Sequence, residues 1–146
     1  MNNQRGQLVS SQALTLKANQ LDNSGQGTLS SQAALEVQAD HLDNRDGGRL
    51  LGTTYTSVTA RDIDNIAGWL QSAGTLSLTG VSTLNNRQVR ILTNDALSIN
   101  AGQAPTDSPL GLLNQNGRLE SADSLTLHTR TLDNQGGTFW ACKRSL

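Results

Sequence analysis

"LDNSGQGTLSSQAALEVQADHLDN" runs from Leu21 to Asn44 and opens and closes on the same triplet. The triplet returns as Ile63-Asp64-Asn65, Leu84-Asn85-Asn86 and Leu132-Asp133-Asn134, and its first four starts, at residues 21, 42, 63 and 84, keep a constant step. Two further features recur between the starts. A short apolar point, with Ser or Gly nearby, falls at Leu8, Leu29, Leu50, Leu70, Ile91 and Leu119. An alternating apolar pair falls at Leu14/Leu16, Leu35/Val37, Leu76/Leu78, Leu97/Ile99 and Leu125/Leu127, with "TSV" at 56–58 filling the slot less well. Apolar residues at i and i+2 describe a strand with one buried face, and no window carries the stripe of an amphipathic helix.

Between the apolar pieces lie "NSGQG" (23–27), "NRDGG" (44–48), "NIAG" (65–68), "NQNG" (114–117) and "NQGG" (134–137), all rich in the Gly and Asn that tolerate positive φ at a tight corner. Each repeat therefore reads as two or three strands of three to five residues. An antiparallel meander would gain nothing from keeping identical residues at identical phase. A coil that lays each strand on its counterpart in the next turn gains a column of like side chains. The expected fold is thus all-β: a parallel β-helix of about seven rungs, roughly 21 residues each, rising about 4.8 Å per rung. The chain, residues 1–146, is expected to be a single repeat segment.

Strand alternation turns the Leu of the triplet inward, the Asp outward and the Asn into the corner. Asn23, Asn44, Asn65, Asn86 and Asn134 are accordingly expected to form an amide ladder, which stabilises parallel strands held in register. The Asp column (Asp22, Asp43, Asp64, Asp133) raises calcium, which takes carboxylates and turn carbonyls. The calcium-solenoid pattern GGxGxD is absent, and position 85 carries Asn. Solvated carboxylates about 5 Å apart repel by only about 1 kcal/mol, so the column needs no ion. No metal and no cofactor is expected.

Composition agrees with a narrow aliphatic core. Aromatic residues are 3% of the chain, too few for a wide one, and charged residues 16%, too few for charge-expanded disorder. A net charge of −1 argues against a nucleic-acid partner. The single Cys142 excludes an internal disulfide. No apolar run is long enough to span a bilayer, and "MNNQRGQLVSSQ" has no signal-peptide core, so no targeting signal lies within these residues.

A β-helix can also house polysaccharide lyases and hydrolases, which need carboxylates, or Lys and Arg beside a carboxylate, clustered on one face of adjacent rungs. The charges here, such as Arg45, Asp46 and Arg49 or Arg87 and Arg90, sit in or beside corners. His41 and His128 are out of phase, no G-x-S-x-G occurs, and Cys142 has no identifiable His partner. No catalytic residue is assigned and no enzyme is expected; a carbohydrate-active β-helix is the alternative. The periodicity breaks after Ile99, where "NAGQAPTDSPLGLLNQNG" lengthens the step from Leu84 to Leu113. An outward loop is expected near 100–112 and an irregular tail over 140–146. Tyr55, Trp69, Pro105 and Pro109 are the candidates for a contact surface.

The cadence LDN-x-x-G-G-x-L-x-S-x-x-x-L-x-L-x-A-x-x-LDN, carried from about Asn2 to Phe139, resembles the shaft repeats of filamentous haemagglutinin-like exoproteins, which include two-partner-secretion adhesins and contact-dependent growth inhibition proteins. The resemblance implies a right-handed β-helix, export through an outer-membrane partner transporter, and a place secreted or at the bacterial cell surface. It implies a non-catalytic shaft that touches a protein or glycan receptor on a host or neighbouring cell, or carries a distal toxin towards it. The family's secretion-directing domain and its toxin modules are not among these residues, as in an excised segment or a remnant reading frame. Open strand edges pair with other chains, so end-to-end self-association is expected.

Overall fold

The computed structural model describes residues 1–100, 107 and 109–142. The first rungs contain β1 (Gln7–Ser10), β2 (Leu14–Asp22), β3 (Thr28–Ser31), β4 (Ala34–Asp43), β5 (Arg49–Gly52) and β6 (Tyr55–Asp64). They continue into β7 (Trp69–Ser72), β8 (Thr75–Thr79), β9 (Thr83–Asn85), β10 (Arg90–Thr93) and β11 (Leu97–Ile99). The last are β12 (Gly111–Leu113), β13 (Arg118–Ser121), β14 (Leu125–Leu127), β15 (Thr131–Asp133) and β16 (Thr138–Ala141). Every pairing between them is parallel, and each strand lies on its counterpart one turn later. The fold is an all-β parallel β-solenoid with a repeat of about 21 residues.

One sheet runs β1-β3-β5-β7-β10-β13-β16. Its register stacks Leu8, Leu29, Leu50, Leu70, Ile91, Leu119 and Phe139 in one inward column. The second sheet is forked. β2, β4 and β6 pair over nearly their whole length, and β6 then pairs with both β8 and β9, from which the branches β8-β11-β14 and β9-β12-β15 continue. Strands of nine and ten residues in the early rungs correct the expectation of three to five. The fork has a local cause: Thr59 faces Thr79 but Asp62 faces Thr83, so the later rung holds one extra residue at that corner. Gly80 takes φ +69° there, and the buried Asn100 amide clamps Val81, accepting from its N–H at 3.0 Å and donating to its carbonyl at 2.8 Å.

The core is one aliphatic column system, with Leu29, Leu35, Leu50, Leu70, Leu76, Leu84 and Ile91 fully buried. The weak slot at 56–58 resolves into an exchange of hydroxyls. Inward Ser31, Ser72, Thr93 and Ser121 form a column of corner hydroxyls, broken at Gly52. Thr56, in register with Leu35 and Leu76, supplies the missing oxygen: its Oγ1 accepts from Gly52 N–H at 2.9 Å and donates to the Gln71 carbonyl at 3.1 Å. Thr56→Val makes this buried position as apolar as its column neighbours, yet it is expected to lose about 1–3 kcal/mol by stranding the Gly52 donor. A urea midpoint checks this, with no loss as the outcome that refutes the exchange.

The insertion also differs from its sequence reading. Leu84 pairs with Leu112 rather than Leu113, and the amide of Asn86 reaches Asn114, 28 residues on. Of the stretch read as a loop near 100–112, Leu110 is buried and Gly111 and Leu112 belong to β12, while residues 101–106 and 108 lie outside the described residues. Pro105 lies outside the described residues. Trp140 and Ala141, read as tail, are the last residues of β16.

Candidate functional site

The ladder is the most regular constellation of polar groups. Asn23 donates to Asn44 Oδ1 at 2.8 Å, Asn44 to Asn65 at 2.8 Å, Asn65 to Asn86 at 3.1 Å, Asn86 to Asn114 at 2.7 Å and Asn114 to Asn134 at 2.7 Å. Two members escaped the sequence reading. Asn3 donates to Asn23 at 2.7 Å, and Asn114 bridges Asn86 and Asn134. Asn3 closes "MNN" and Asn114 closes "LLN", neither of which has a Leu or Ile followed by Asp or Asn before the amide, so a search on the triplet passes over both. All amides point the same way along the axis, so their dipoles reinforce one another. The second N–H of several members turns to a backbone carbonyl, as Asn44 does to Trp69 at 3.2 Å and Asn134 to Gly137 at 3.2 Å.

A glycine column makes room for these amides. At Gly27 a Cβ would lie 2.5 Å from the Asn3 carbonyl oxygen and 2.7 Å from Asn23 Oδ1; at Gly48 it would lie 2.6 Å from Asn44 Oδ1. One rung carries Val89 at this position, and the ladder bond reaching that rung, Asn65 to Asn86, is the longest of the series.

The outward acids of the triplet are each occupied, Asp22 and Asp43 by their own corners and Asp64 and Asp133 by a neighbouring rung. Asp22 Oδ1 accepts from the Ser24 hydroxyl at 2.7 Å and Asp64 from the Asn85 amide at 3.0 Å, while Asp133 Oδ2 accepts from Gln115 at 2.6 Å. Asp43 takes Arg45 through both oxygens, at 2.9 and 2.6 Å. The Arg45 hydrogen bond holds the Asp43 carboxyl below its ordinary value against the opposing pull of burial, with the Arg45 backbone N–H and charge assisting. Arg45 is correspondingly raised, chiefly by the same hydrogen bond. A depressed folded value means that the Asp43 carboxylate adds stability above the unfolded value of about 3.9, lost as pH falls through the folded one. Arg45→Ala is therefore expected to flatten the drop in urea midpoint between about pH 5 and pH 3, by under about 1 kcal/mol since the pair is half-exposed. An unchanged acid limb contradicts this. Among the described residues no cluster of His, Cys, Asp and Glu has the grouping a metal needs. His41 sits in β4 facing Gln20 and Asp62, several rungs from His128, which follows β14; Cys142 is exposed.

The four candidates for a contact surface are not brought together. Tyr55 opens β6 on the forked sheet, where its hydroxyl donates to Glu36, a bond that raises the phenol above its ordinary value. Trp69 opens β7 on the other sheet and is 47% exposed, enough to leave a ring face open to a ligand. Pro109 is exposed beside the insertion. What surrounds Trp69 was not anticipated. The register places Arg49 directly beside it on one side, and on the other Arg90 precedes the Leu70–Ile91 pair and faces Arg118. Glu120 accepts from Arg90 at 3.2 Å and from Arg118 at 3.5 Å.

Three overlapping stretches of the chain, residues 2–62, 56–104 and 95–139, match the haemagglutinin repeat family. No curated protein and no solved structure matches the chain.

Proposed function

The chain belongs to the haemagglutinin-repeat family, and on that premise we propose that it is a rigid, non-catalytic length of shaft in a large bacterial exoprotein, either an adhesin or a contact-dependent inhibition protein. The observation that carries this reading is the unbroken amide column from Asn3 to Asn134, which ties every described rung to the next. Such a column favours stiffness and length over a localised reactive centre. Stability in this architecture is a sum over rung interfaces, which suits a part whose task is to hold a distal group away from the cell. The shaft is secreted or displayed at the bacterial surface, reaches it through an outer-membrane partner transporter, and meets a receptor on a host or neighbouring cell.

Half-buried Leu8, Leu14 and Leu16 at one end and Leu125, Leu127 and Phe139 at the other favour stacking of copies end to end. Light scattering over a concentration series tests that, and a strictly monomeric profile refutes it. The shaft reading itself is tested by incubating the chain with acidic polysaccharides and with receptor-bearing cells. Saturable cell binding with polymers left at full length is the expected result. New unsaturated ends, followed by ultraviolet absorbance, would overturn it in favour of a carbohydrate-active β-helix.

A further inference from the structure

We propose that the outward face around Trp69 binds a polyuronate, an acidic glycan with a carboxylate on each sugar ring. This deepens the shaft reading and rests on it. Three features of the face point to that ligand.

The first is charge. Outward residues along the seven-stranded sheet include Arg49, Arg90 and Arg118, and among its described residues Glu120 is the one acid. Glu120 braces two of the guanidinium groups, and among the described residues Arg49 has no ion pair. The net field is positive on a chain whose total charge is −1. The second is shape. Trp69 stands between two shallow depressions, about 250 Å³ on the side of Arg49 and Leu51 and about 450 Å³ on the side of Arg90 and Arg118. Both faces of its surroundings are therefore open to a flat ring. The third is spacing. Arg49 and Arg90 lie two rungs apart, about 10 Å along the axis, with the indole halfway. A pyranose stacked on the indole places the carboxylates of its neighbours over the two guanidinium forks, which take carboxylates bidentately.

A peptide that adds as a strand finds no opening, because β5, β7 and β10 are paired along both edges. A bilayer finds two indoles, Trp69 and Trp140, standing three strands apart among guanidinium groups and a carboxylate rather than a continuous apolar face.

The test titrates the full chain, carrying Trp140→Phe so that Trp69 is the remaining indole, with oligogalacturonate, its carboxyl-reduced counterpart and dextran sulfate. Saturable quenching by oligogalacturonate is expected, weakening with salt. Arg49→Ala should weaken binding about tenfold or more, and so should Trp69→Ala, which is followed by isothermal titration calorimetry because it removes the reporting indole. Arg49→Lys should recover part of the loss, and Lys17→Ala on the other sheet should change nothing. Glu120→Gln should tighten binding several-fold by releasing Arg90 and Arg118, a gain that damage to the fold would not produce. Equal binding of the carboxyl-reduced polymer, preference for dextran sulfate over oligogalacturonate, or indifference to Arg49→Ala would each overturn the proposal. Those failures leave the shaft standing, whereas depolymerisation of the oligogalacturonate would remove both.

Discussion

Asn65→Leu is expected to destabilise the chain by about 2–6 kcal/mol, because it strands two buried groups at about 1–3 kcal/mol each. Asn65 is fully buried at the middle of the ladder, accepting from Asn44 at 2.8 Å and donating to Asn86 at 3.1 Å. Leucine fills the space but leaves the Asn44 donor without its acceptor and the Asn86 oxygen without its donor. Asn44 and Asn86 are themselves fully buried, so neither group can turn to solvent instead. Because a solenoid is held by nearest-neighbour interfaces, the break also uncouples the rungs before it from those after it. Urea unfolding followed by circular dichroism should show a lower midpoint and a broader, two-step transition. Asn134→Leu is the internal comparison. That residue is half-buried and receives one ladder bond, so its loss should stay below about 2 kcal/mol with one transition retained. Equal losses at the two positions would show that the amides do not act as a ladder.

Gly68→Ala should be at least as damaging, about 3 kcal/mol or more. A Cβ there would overlap the Asn44 carbonyl oxygen and come within 2.7 Å of Asn65 Oδ1. The carbonyl is backbone and cannot swing away, so relief requires the two rungs to separate, and the amide ladder lengthens with them. Gly25 separates this effect from that of backbone conformation. It takes φ +60° but a Cβ there meets nothing within 4 Å, so Gly25→Ala pays the left-handed conformation alone, about 1–2 kcal/mol. A thermal or urea midpoint that fell equally for both variants would mean that close approach to the ladder is not what selects glycine at 68.

The ladder and the glycine column were legible to different degrees. Five of the amides announce themselves because the triplet repeats, and the repeat has only one physical use: meeting itself a layer away. The glycines could be read as corner formers, but their coupling to the amides could not. At Gly68 the pressing atoms belong to Asn44 and Asn65, which the chain brings there only after a full turn. The left-handed corner residues Ala67 and Gln88 show the same limit, since neither residue type signals a positive φ.

Periodicity by itself determined the coil, its step of about 21 residues and the inward identity of nearly every aliphatic residue, because in a solenoid a residue's main partner is its own counterpart. Tertiary structure decided what departs from that rule. Gly52 and Thr56 exchange a hydroxyl between two columns, an arrangement a column-by-column reading scores as two defects. Arg49, Trp69, Arg90 and Arg118 are unequally spaced along the chain, since corner lengths differ and an insertion intervenes, and only the strand register gathers them on one face. Repetition specifies the axis; the irregular corners specify what the outer surface presents.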